Sequence, residues 1–454
     1  MGNASCGERK ATNVKDLALS RRSSAARRKH DRPPRAARQR ARSEFLKPFE
    51  PLLEQLDATR QADVYPFFSS DRDSAPDGHP VILVANDYLG LSADPRVRDA
   101  ACDAIARFGT SRCASPLAGG HTALHRALET QLAAFLRQEA VALFASGYQA
   151  NVGVISGLMG PNDLILTDLF NHASIVDGAR LSGAQVRHFQ HNSATHLERI
   201  LAQDVAGRRV LVVVEGVYSA DGDIGDLPAI CAAAHAHGAM VMVDEAHSFG
   251  VLGGGGRGAA EHFGLLAEVD LVVGTMSKSL ASVGGFVAGD RNLVDTVAHS
   301  ARALIFSAAL PPAGAAAALA SLEILQTEPE RRERLWRNAR AFLHGLAVRG
   351  FDTMHSVTPV VPILVGDPLR AIELTARLRT QGVHICPAIP PMVPAHLSRV
   401  RAHVTAAHDA ADLDVALAAI DAVGQSLGIQ RQGTPAPARR VRARAGTAPA
   451  AAPT

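Results

Sequence analysis

Short apolar runs that alternate with helical patterns constrain the fold of this chain more than any other feature of its sequence. Three of these runs, Val210–Glu215, Met240–Asp244 and Leu271–Thr275, consist almost entirely of apolar and β-branched residues, with no regular polar alternation. Such runs are typical of strands that are buried on both faces, as in a parallel sheet. A helical pattern near 227–237 separates the first two runs, as in a β-α-β unit. The chain is therefore predicted to have an α/β fold.

The same alternation divides the chain into regions. Further strands are predicted at 141–144 and 164–167, and a helix capped by Thr122 is predicted through Leu124 and Phe135. After 311–312 the pattern changes to long helices and then to a mixed segment, which indicates a second, smaller domain. The predicted regions are a basic tail (1–44), an N-terminal segment (45–100), a large domain (101–311), a small C-terminal domain (312–428) and a second tail (429–454).

The formal net charge of +3 hides an uneven distribution of charge along the chain. Residues 1–43 contain thirteen Lys/Arg and three Asp/Glu, and residues 431–454 contain five Arg and no acidic residue. Both ends are also rich in small and polar residues, so we predict disordered basic tails on an acidic body. A basic tail attracts nucleic acid, an anionic membrane or an acidic carrier protein, or is a solvated extension without a partner. We expect no nucleic-acid partner.

Cysteine usage and hydropathy bear on the compartment. The five cysteines are scattered, odd in number and without C-x-x-C spacing, which indicates a reducing compartment and no structural zinc. No apolar run approaches the roughly 20 residues of a membrane-spanning helix, and the N-terminus lacks the apolar core of a signal peptide. We therefore predict a cytoplasmic protein without a transmembrane segment.

Lysine is nearly absent from the body of the chain. The five lysines are Lys10, Lys15, Lys29, Lys47 and Lys278. Beyond Lys47, arginine supplies every positive side chain except that of Lys278. Arginine cannot replace lysine where an amine must lose its proton, because the guanidinium group stays charged. Lys278 is therefore a candidate for Schiff-base chemistry, and the alternative is a surface lysine without a function.

Three patterns in the sequence suggest other functions, but the residues that each of those functions also requires are missing or misplaced. Asp244-Glu-Ala-His247 spells the acidic box of a helicase, but the chain has no Gly-Lys pair and hence no phosphate-binding loop of that class. Residues 253–258 match G-x-G-x-x-G but do not lie between a strand and a helix start, so we interpret them as a loop. Nineteen histidines include no H-E-x-x-H or comparable ligand cluster, and we predict no metal site.

The remaining residues fit pyridoxal phosphate. This cofactor needs an amine for its aldehyde, a carboxylate beside its pyridine nitrogen and donors for its phosphate. Lys278 supplies the amine, and Asp244, at the carboxyl end of a predicted strand, supplies the carboxylate unless it only caps the following turn. His247 lies three residues on, within reach of the phenolic oxygen of the ring. Residues 146–151 follow a strand and open a helix, so their N–H groups are placed for the phosphate. The hydroxyl groups beside the lysine are those of Thr275 and Ser277.

Seven motifs in the chain resemble those of the α-oxoamine synthases, a group of fold-type I pyridoxal phosphate enzymes. In chain order they are Asn86-Asp-Tyr-Leu-Gly-Leu-Ser92, Phe170-Asn-His-Ala-Ser174, Glu215-Gly-Val-Tyr-Ser-Ala-Asp-Gly222, Val243-Asp-Glu-Ala-His-Ser-Phe-Gly-Val-Leu-Gly253, Thr275-Met-Ser-Lys278, Ile305-Phe-Ser-Ala-Ala-Leu-Pro-Pro312 and Arg399-Val-Arg-Ala-His-Val-Thr-Ala-Ala-His408. The resemblance spans roughly 45–425, in the family's order. It implies a large domain with a mostly parallel, seven-stranded sheet, a small α+β C-terminal domain, pyridoxal phosphate as the cofactor and a homodimer.

The resemblance also implies roles for individual residues. Lys278 forms the Schiff base, Asp244 pairs with the ring nitrogen and His172 stacks on the ring; these three are the implied catalytic residues. The other implied cofactor contacts are Gly147, Tyr148, Ser219, His247, Thr275, Ser277 and Ser307, the last toward the phosphate in the neighbouring subunit. The implied substrate contacts are Arg401, which binds the amino-acid carboxylate, and Asn86. Without the resemblance, His172 fits a core or helix-capping histidine equally well, and Arg401 an ordinary strand-edge arginine.

One position departs from the family pattern. Many relatives have an arginine directly before the Pro-Pro pair that leads to Arg401, whereas this chain has Ile389 before Pro390 and Pro391. The resemblance implies a decarboxylative condensation of an amino acid with an acyl thioester, carried by coenzyme A or by a carrier protein, to give an aminoketone. We expect a reaction similar to that of serine palmitoyltransferase, with serine or alanine and a long- or medium-chain acyl group.

Three other functions stay open. The segment at 187–192 resembles 8-amino-7-oxononanoate synthase, which would make alanine and a pimeloyl thioester the substrates. A fold-type I aminotransferase would instead return an amine to a keto acid and leave the thioester intact. A non-catalytic subunit of the serine palmitoyltransferase type would lack the lysine that this chain has at Lys278.

Overall fold

The structure, a computed structural model, describes residues 35–61, 79–205 and 207–429. It divides into two units, residues 1–63 and 64–454. In the first unit, α1 (Arg35–Leu46) is followed by a 3-10 turn at Lys47–Phe49 and by α2 (Glu50–Gln61). The first 34 residues of the predicted N-terminal tail lie outside the described residues, and 35–44 fall in α1. The predicted C-terminal tail lies outside them beyond residue 429. The predicted domain boundaries at 100 and 311 stay predictions.

A seven-stranded sheet forms the centre of the second unit. Its strands are β2 (Ala140–Phe144), β3 (Leu164–Asp168), β4 (Gln185–Phe189), β5 (Val210–Glu215), β6 (Met240–Asp244), β7 (Leu271–Thr275) and β8 (Gly285–Gly289). They lie in the order β2-β8-β7-β6-β5-β3-β4. β3 to β7 pair in parallel, and β8 is antiparallel to both of its neighbours. The predicted fold class, an α/β fold around a mostly parallel sheet, is confirmed.

Both faces of this sheet are covered, which is why its strands contain so little polar alternation. In β5 the side chains of Val210, Val212 and Val214 belong to one apolar cluster, and those of Leu211 and Val213 belong to another on the opposite face. Successive side chains of a strand point to opposite faces, so each face of β5 meets its own layer of helices. Parallel strands need such crossover helices, and these provide the covering layers.

The helices that precede, connect and follow the strands supply these layers. Their bounds are α3 (Pro95–Phe108), α4 (Ala123–Leu136), α5 (Gly147–Leu158), α6 (Ala173–Ser182), α7 (Ala194–Asp204), α8 (Leu227–Ala236), α9 (Ala259–His262), α10 (Arg291–Ser300), α11 (Arg302–Ile305) and α12 (Pro312–Thr327). Thr122 is the N-cap of α4, and a capping box joins Thr122 and His125. This satisfies N–H groups that have no partner inside the helix. Residues 253–258 form bends and irregular backbone between β6 and α9, as the loop interpretation predicts.

A separate apolar cluster holds the C-terminal part of the unit. It unites Val81 and Leu83 with residues of the last helices and strands, such as Phe342, Leu374 and Ile420. The elements concerned are β1 (Val81–Ile82), α13 (Pro329–Val348), β9 (Val360–Leu364), α14 (Pro368–Thr380), β10 (Val383–His384), β11 (Cys386–Ala388), β12 (Arg399–His403) and α15 (Ala410–Ser426). β12 lies between β11 and β9 in an antiparallel sheet, and β1 pairs with β10 in parallel. β12 carries Arg401.

Candidate active site

A cavity of about 390 Å³ opens where the central strands end. Neighbouring parallel strands place Glu215 opposite Asp244 in register, and Lys278 follows three residues after the end of β7. The cavity is lined by Asn86, Ser146, Gly147, Tyr148, His172, Ser174, Glu215, Ser219, Asp244, Ala246, His247, Val273, Gly274, Thr275, Ser277, Lys278 and Arg401. Eleven of the twelve residues predicted for the site are in this lining, and Ser307 is the exception. Crevices at the carboxyl ends of parallel strands are the usual ligand sites of α/β folds.

Lys278 has the electrostatic environment of a reactive amine. Its side chain keeps some exposure to the cavity, but protein atoms replace most of the water around it. This desolvation lowers the pKa of Lys278 to about 8; the nearby charge of Arg401 acts in the same direction, and Asp244 and Glu215 oppose it. Burial penalises the charged form of an amine, so a sizeable fraction of Lys278 is neutral near physiological pH. A neutral amine is the form that attacks an aldehyde.

Asp244 is held by residues that the sequence analysis did not single out. Asn151 donates from Nδ2 to Asp244 Oδ2 over 2.6 Å, and the Ala246 N–H donates to the other carboxylate oxygen over 2.9 Å. Asn151 also donates to Ser174 Oγ, which lies 2.7 Å from His172 Nδ1. Four side chains thus form one network from the carboxylate to the imidazole. These donors hold the carboxylate in place, where it could pair with the ring nitrogen of a bound cofactor.

The N-terminus of α5 provides a place for a phosphate. Ser146 caps this helix by accepting from the Gln149 N–H, and Gly147 is its first residue. A Cβ at Gly147 would lie 2.9 Å from Thr275 Cβ, so the backbone here is open only because the residue is glycine. The hydroxyl groups of Thr275 and Ser277 are 2.7 Å apart at the same corner. Free N–H groups at a helix start, together with hydroxyls, form a ready anion site.

His172 and Tyr148 form one wall of the cavity. The N–H of His172 donates to Glu215 Oε1 over 2.6 Å, and this contact fixes the start of α6. The His172 ring is exposed to the cavity, and burial of its other side lowers its pKa, so it is a neutral ring suited to stacking. The ring of Tyr148 stands edge-on to it at 6.3 Å, and the Tyr148 hydroxyl donates to Asp177.

Glu215 is a further residue that the sequence analysis missed. It is buried at the end of β5, and its two carboxyl oxygens accept from the N–H groups of His172 and Ser219. Burial, and then the neighbouring Asp244 charge, raise the pKa of Glu215 well above its ordinary value. In the sequence it was visible only as the end of a buried strand and as the first residue of the motif at 215–222, without a role of its own.

Arg401 points a partly unsatisfied guanidinium group into the cavity. Its Nη1 donates to the Ser219 carbonyl over 2.7 Å, whereas its Nε is buried without a partner in the described part of the chain. Asn86 Oδ1 also lacks a partner within that part. Unsatisfied buried donors and acceptors are costly, and a bound carboxylate would satisfy the guanidinium fork. Arg399, two residues earlier on the same face of β12, is buried against Asp221 at 2.8 Å and anchors this strand.

Two sequence-based expectations lie away from this cavity. Ser307 accepts from Gln149 Nε2 of the same chain over 3.3 Å, outside the lining, and its proposed contact with a second subunit stays a prediction. Ile389 packs into the C-terminal apolar cluster before the Pro390-Pro391 cis bond. Arg401 is consequently the single arginine in the lining that the structure describes.

No group of three or more His, Cys, Asp and Glu side chains is placed to hold a metal ion within residues 35–61, 79–205 and 207–429. None of the helices in these ranges is long and apolar enough to cross a bilayer.

The residues of the cavity fit pyridoxal phosphate. Lys278 offers an amine with a lowered pKa, and Asp244 offers a well-held carboxylate. A flat ring and a phosphate would occupy the space beside His172 and in front of Gly147, where a Cβ has no room. The fit rests on three separate chemical demands of the cofactor met in one cavity.

The chain is similar to known proteins in a family model, in sequence and in structure. Residues 79–420 match the family model for aminotransferase class I and II. The 8-amino-7-oxononanoate synthase of Symbiobacterium thermophilum is 44% identical over 385 residues, which is 83% of this chain and 98% of that protein. A serine palmitoyltransferase of S. paucimobilis, solved with pyridoxal phosphate and myriocin, covers 85% of this chain and 99% of its own at 35% identity, with a TM-score of 0.81. The 8-amino-7-oxononanoate synthase of Francisella tularensis superposes with a TM-score of 0.67 at 26% identity, over 76% of this chain and 98% of its own.

Proposed function

The chain belongs to the α-oxoamine synthases, which are pyridoxal phosphate-dependent acyltransferases, and we propose that it makes 8-amino-7-oxononanoate or a close analogue. The placement of Lys278, Asp244 and Arg401 around one cavity supports the reaction class. The 44% identity to an enzyme of that name, against 35% to a serine palmitoyltransferase, supports the product. Alanine and a medium-chain donor lie within the range expected from the sequence, and the proposal favours the stated alternative over a serine palmitoyltransferase-like reaction.

The product itself defines the substrates. A condensation joins the amino-acid Cα to the acyl carbonyl carbon, so C7 of the product comes from the acyl group and C8 from the amino acid. After loss of the carboxyl group, C8 and C9 with the amine correspond to alanine. Carbons one to seven, with a terminal carboxylate, correspond to a pimeloyl thioester. Carbon dioxide and the thiol leave, and the nine carbons balance.

Four of the lining residues have distinct proposed tasks in this reaction. Pyridoxal phosphate, when bound, supplies an aldehyde for the amino group and a ring that withdraws electrons from Cα. Arg401 holds the amino-acid carboxylate and thereby sets which Cα bond faces the ring. Lys278, as a neutral amine, takes the Cα proton. Asp244 would keep a proton on the ring nitrogen, and His172 would pack against the ring.

The test is a panel of amino acids against acyl thioesters. Alanine, serine and glycine are each mixed with pimeloyl and palmitoyl thioesters, and both thiol release and product mass are recorded. The proposal expects the mass of 8-amino-7-oxononanoate from alanine and the pimeloyl donor. A long-chain aminoketone from serine would instead establish the serine palmitoyltransferase-like function. Amino-group transfer without thiol release would indicate an aminotransferase, and Lys278→Arg controls for the uncatalysed reaction.

The acyl carrier is open to a similar test. The thirteen Lys/Arg in residues 1–43 suit an acidic carrier protein as the donor. If residues 1–43 recruit the carrier protein, the rate with acyl-carrier protein should be sensitive to salt and should fall when these residues are deleted. The rate with the coenzyme A thioester should be unchanged by the deletion. Equal rates for both forms of the enzyme with the carrier-protein substrate would contradict this role.

The chain is also proposed to act as a homodimer. Leu117, Val283 and Phe306 are apolar and 61–73% exposed. The segments that carry Leu117 and Phe306 meet where the Ala309 N–H donates to the Ala114 carbonyl. Exposed apolar patches mark interaction sites. Phe306→Asp should therefore yield monomers in light scattering, whereas Asp at Leu181, which is 69% exposed on α6, should not. Dimers in both variants would refute this interface.

A further inference from the structure

A buried tyrosine contacts the cavity histidine from behind. Tyr88 is fully buried, and its hydroxyl lies 2.7 Å from His247 Nδ1. The ring of His403 stands 6.4 Å from the rings of both Tyr88 and His247. His403 is buried as well, and neither of its ring nitrogens forms a hydrogen bond to Tyr88 or His247. Tyr88 and His247 are 159 residues apart in the chain, so only the fold makes this contact.

The surroundings determine which atom donates in this hydrogen bond. Burial raises the pKa of the Tyr88 hydroxyl far above its ordinary value, so the oxygen keeps its hydrogen. Among the described residues, the one acceptor in contact with this hydroxyl is His247 Nδ1, because His403 does not reach it. A buried hydroxyl that left its hydrogen unpaired would lose the free energy of a hydrogen bond. Tyr88 therefore donates, and His247 Nδ1 accepts.

The tautomer of His247 follows from that direction. Burial, and then the charge of Lys278, hold the pKa of His247 well below its ordinary value, so the ring is neutral. A neutral imidazole has one N–H, and with Nδ1 accepting, the hydrogen is on Nε2. Nε2 has no protein partner among the described residues, and His247 lines the cavity. The other charged or titratable groups around this ring are His172, Arg401 and His403.

We propose that Tyr88 is a positioning residue that fixes His247 as the Nε2–H tautomer, so that the ring presents a donor to the phenolic oxygen of pyridoxal phosphate. The inference rests on the proposed function for the identity of that acceptor. Without the tyrosine hydroxyl, either tautomer of His247 is available, and the Nδ1–H form turns an acceptor toward an oxygen that is itself an acceptor. The two would then repel each other.

The first test reads the tautomer directly, in the full chain freed of cofactor. Protein labelled with ¹⁵N-histidine is examined by long-range ¹H–¹⁵N correlation, and the His247 signals are assigned from their loss in His247→Leu. The native chain should show a protonated Nε2 and an unprotonated Nδ1. Tyr88→Phe should give a mixture of tautomers or the reverse one. Tyr218→Phe removes another fully buried hydroxyl, which donates to Asp168, and should leave the His247 signals unchanged.

The second test reads the consequence in the cofactor-loaded protein. A donor at the phenolic oxygen weakens its hold on the proton that it shares with the Lys278 nitrogen. Tyr88→Phe should therefore raise the pH midpoint of the visible absorbance change by about one unit, a tenfold change in that proton equilibrium. His247→Leu sets the limit for complete loss of the donor. A tyrosine that only packs would leave this midpoint where it is.

The outcomes separate this inference from the proposed function. A protonated Nδ1 in the native chain, or an unchanged tautomer and midpoint in a folded Tyr88→Phe protein, would overturn the role of Tyr88 even if 8-amino-7-oxononanoate is formed. Conversely, the predicted tautomer can be found in an enzyme that makes another aminoketone. Far-UV circular dichroism and the unfolding midpoint establish that Tyr88→Phe is folded, as expected for a change that keeps the aromatic ring.

Discussion

The lowered pKa of Lys278 has a consequence that can be measured without substrate. An amine with a pKa of about 8 is neutral in roughly one molecule in eleven at pH 7. At the ordinary lysine value of 10.5 the neutral fraction is about one in 3,000. The neutral, reactive fraction of Lys278 at pH 7 is therefore about 300 times that of an ordinary lysine. The cause is desolvation, so the effect belongs to the folded chain.

Competitive labelling measures this difference. The cofactor-free protein is treated with a trace of isotopically labelled acetic anhydride between pH 6 and 11, and labelling is completed after denaturation with the other isotope. Mass spectrometry then gives the reactivity of the Lys278 peptide at each pH, and added Nα-acetyl-lysine amide serves as the standard. The reactivity of Lys278 should level off above a midpoint near pH 8. In the denatured chain the midpoint should return to that of the standard.

Two substitutions should move the Lys278 midpoint in opposite directions. The Asp244 carboxylate raises the pKa of Lys278, so Asp244→Asn should lower the midpoint further. The Arg401 guanidinium lowers it, so Arg401→Gln should raise it. A native midpoint near 10.5, or two variants that shift in the same direction, would refute the desolvation argument.

Three further predictions concern binding and stability. In steady-state kinetics, Arg401→Gln should raise the KM for the amino acid about tenfold to hundredfold, because a charge-assisted contact is lost. The KM for the thioester should change little. Equal effects on both KM values would contradict the role of Arg401 in binding the amino-acid carboxylate. Gly147→Ala should weaken pyridoxal phosphate binding about tenfold in an absorbance titration, because the new Cβ would lie 2.9 Å from Thr275 Cβ. Gly160→Ala is the control and should not weaken binding, because its Cβ would meet only Asp163 Oδ2, at 3.8 Å. His191 lies between two carboxylates; burial opposes its charge, but hydrogen bonds to them raise its pKa to about 10. The protonated His191 stabilises the fold fully below pH 6.5, and this contribution is lost as the pH rises through about 10. His191→Gln should therefore lower the free energy of unfolding in urea by about 3 kcal/mol at pH 6 and by progressively less toward pH 10. A loss that is independent of pH would refute the ion-pair account.

The strands of the central sheet could be predicted because the apolar composition of each segment indicates that it is buried. Val210–Glu215, Met240–Asp244 and Leu271–Thr275 begin and end where the apolar runs do. The antiparallel strand at Gly285–Gly289 was not predicted, because a short glycine-containing run does not reveal its partners. Its place between β2 and β7 is decided by register with both neighbours. Pairing of this kind is a property of the whole sheet and not of one segment.

The residues of the candidate site were likewise predictable only in part. Lys278, Asp244 and Arg401 could be identified from residue type, position and motif. Asn151 could not be connected with Asp244, because the two residues are 93 positions apart and a mid-helix asparagine has no signature of its own. Glu215 was part of a motif but was given no role for a similar reason, because the function of a carboxyl group at a strand end depends on the residues that surround it.

The sequence by itself determined which segments must be buried, which residue could act as a reactive amine and which group of enzymes the chain resembles. Only the tertiary structure decided how these groups behave: the desolvation that lowers the pKa of Lys278, the donors that hold Asp244 and the contact from Tyr88 to His247. Burial and hydrogen bonding are set by atoms that come from distant parts of the chain. Periodicity and residue type are local, whereas the free energy of a proton on a side chain depends on everything that surrounds it.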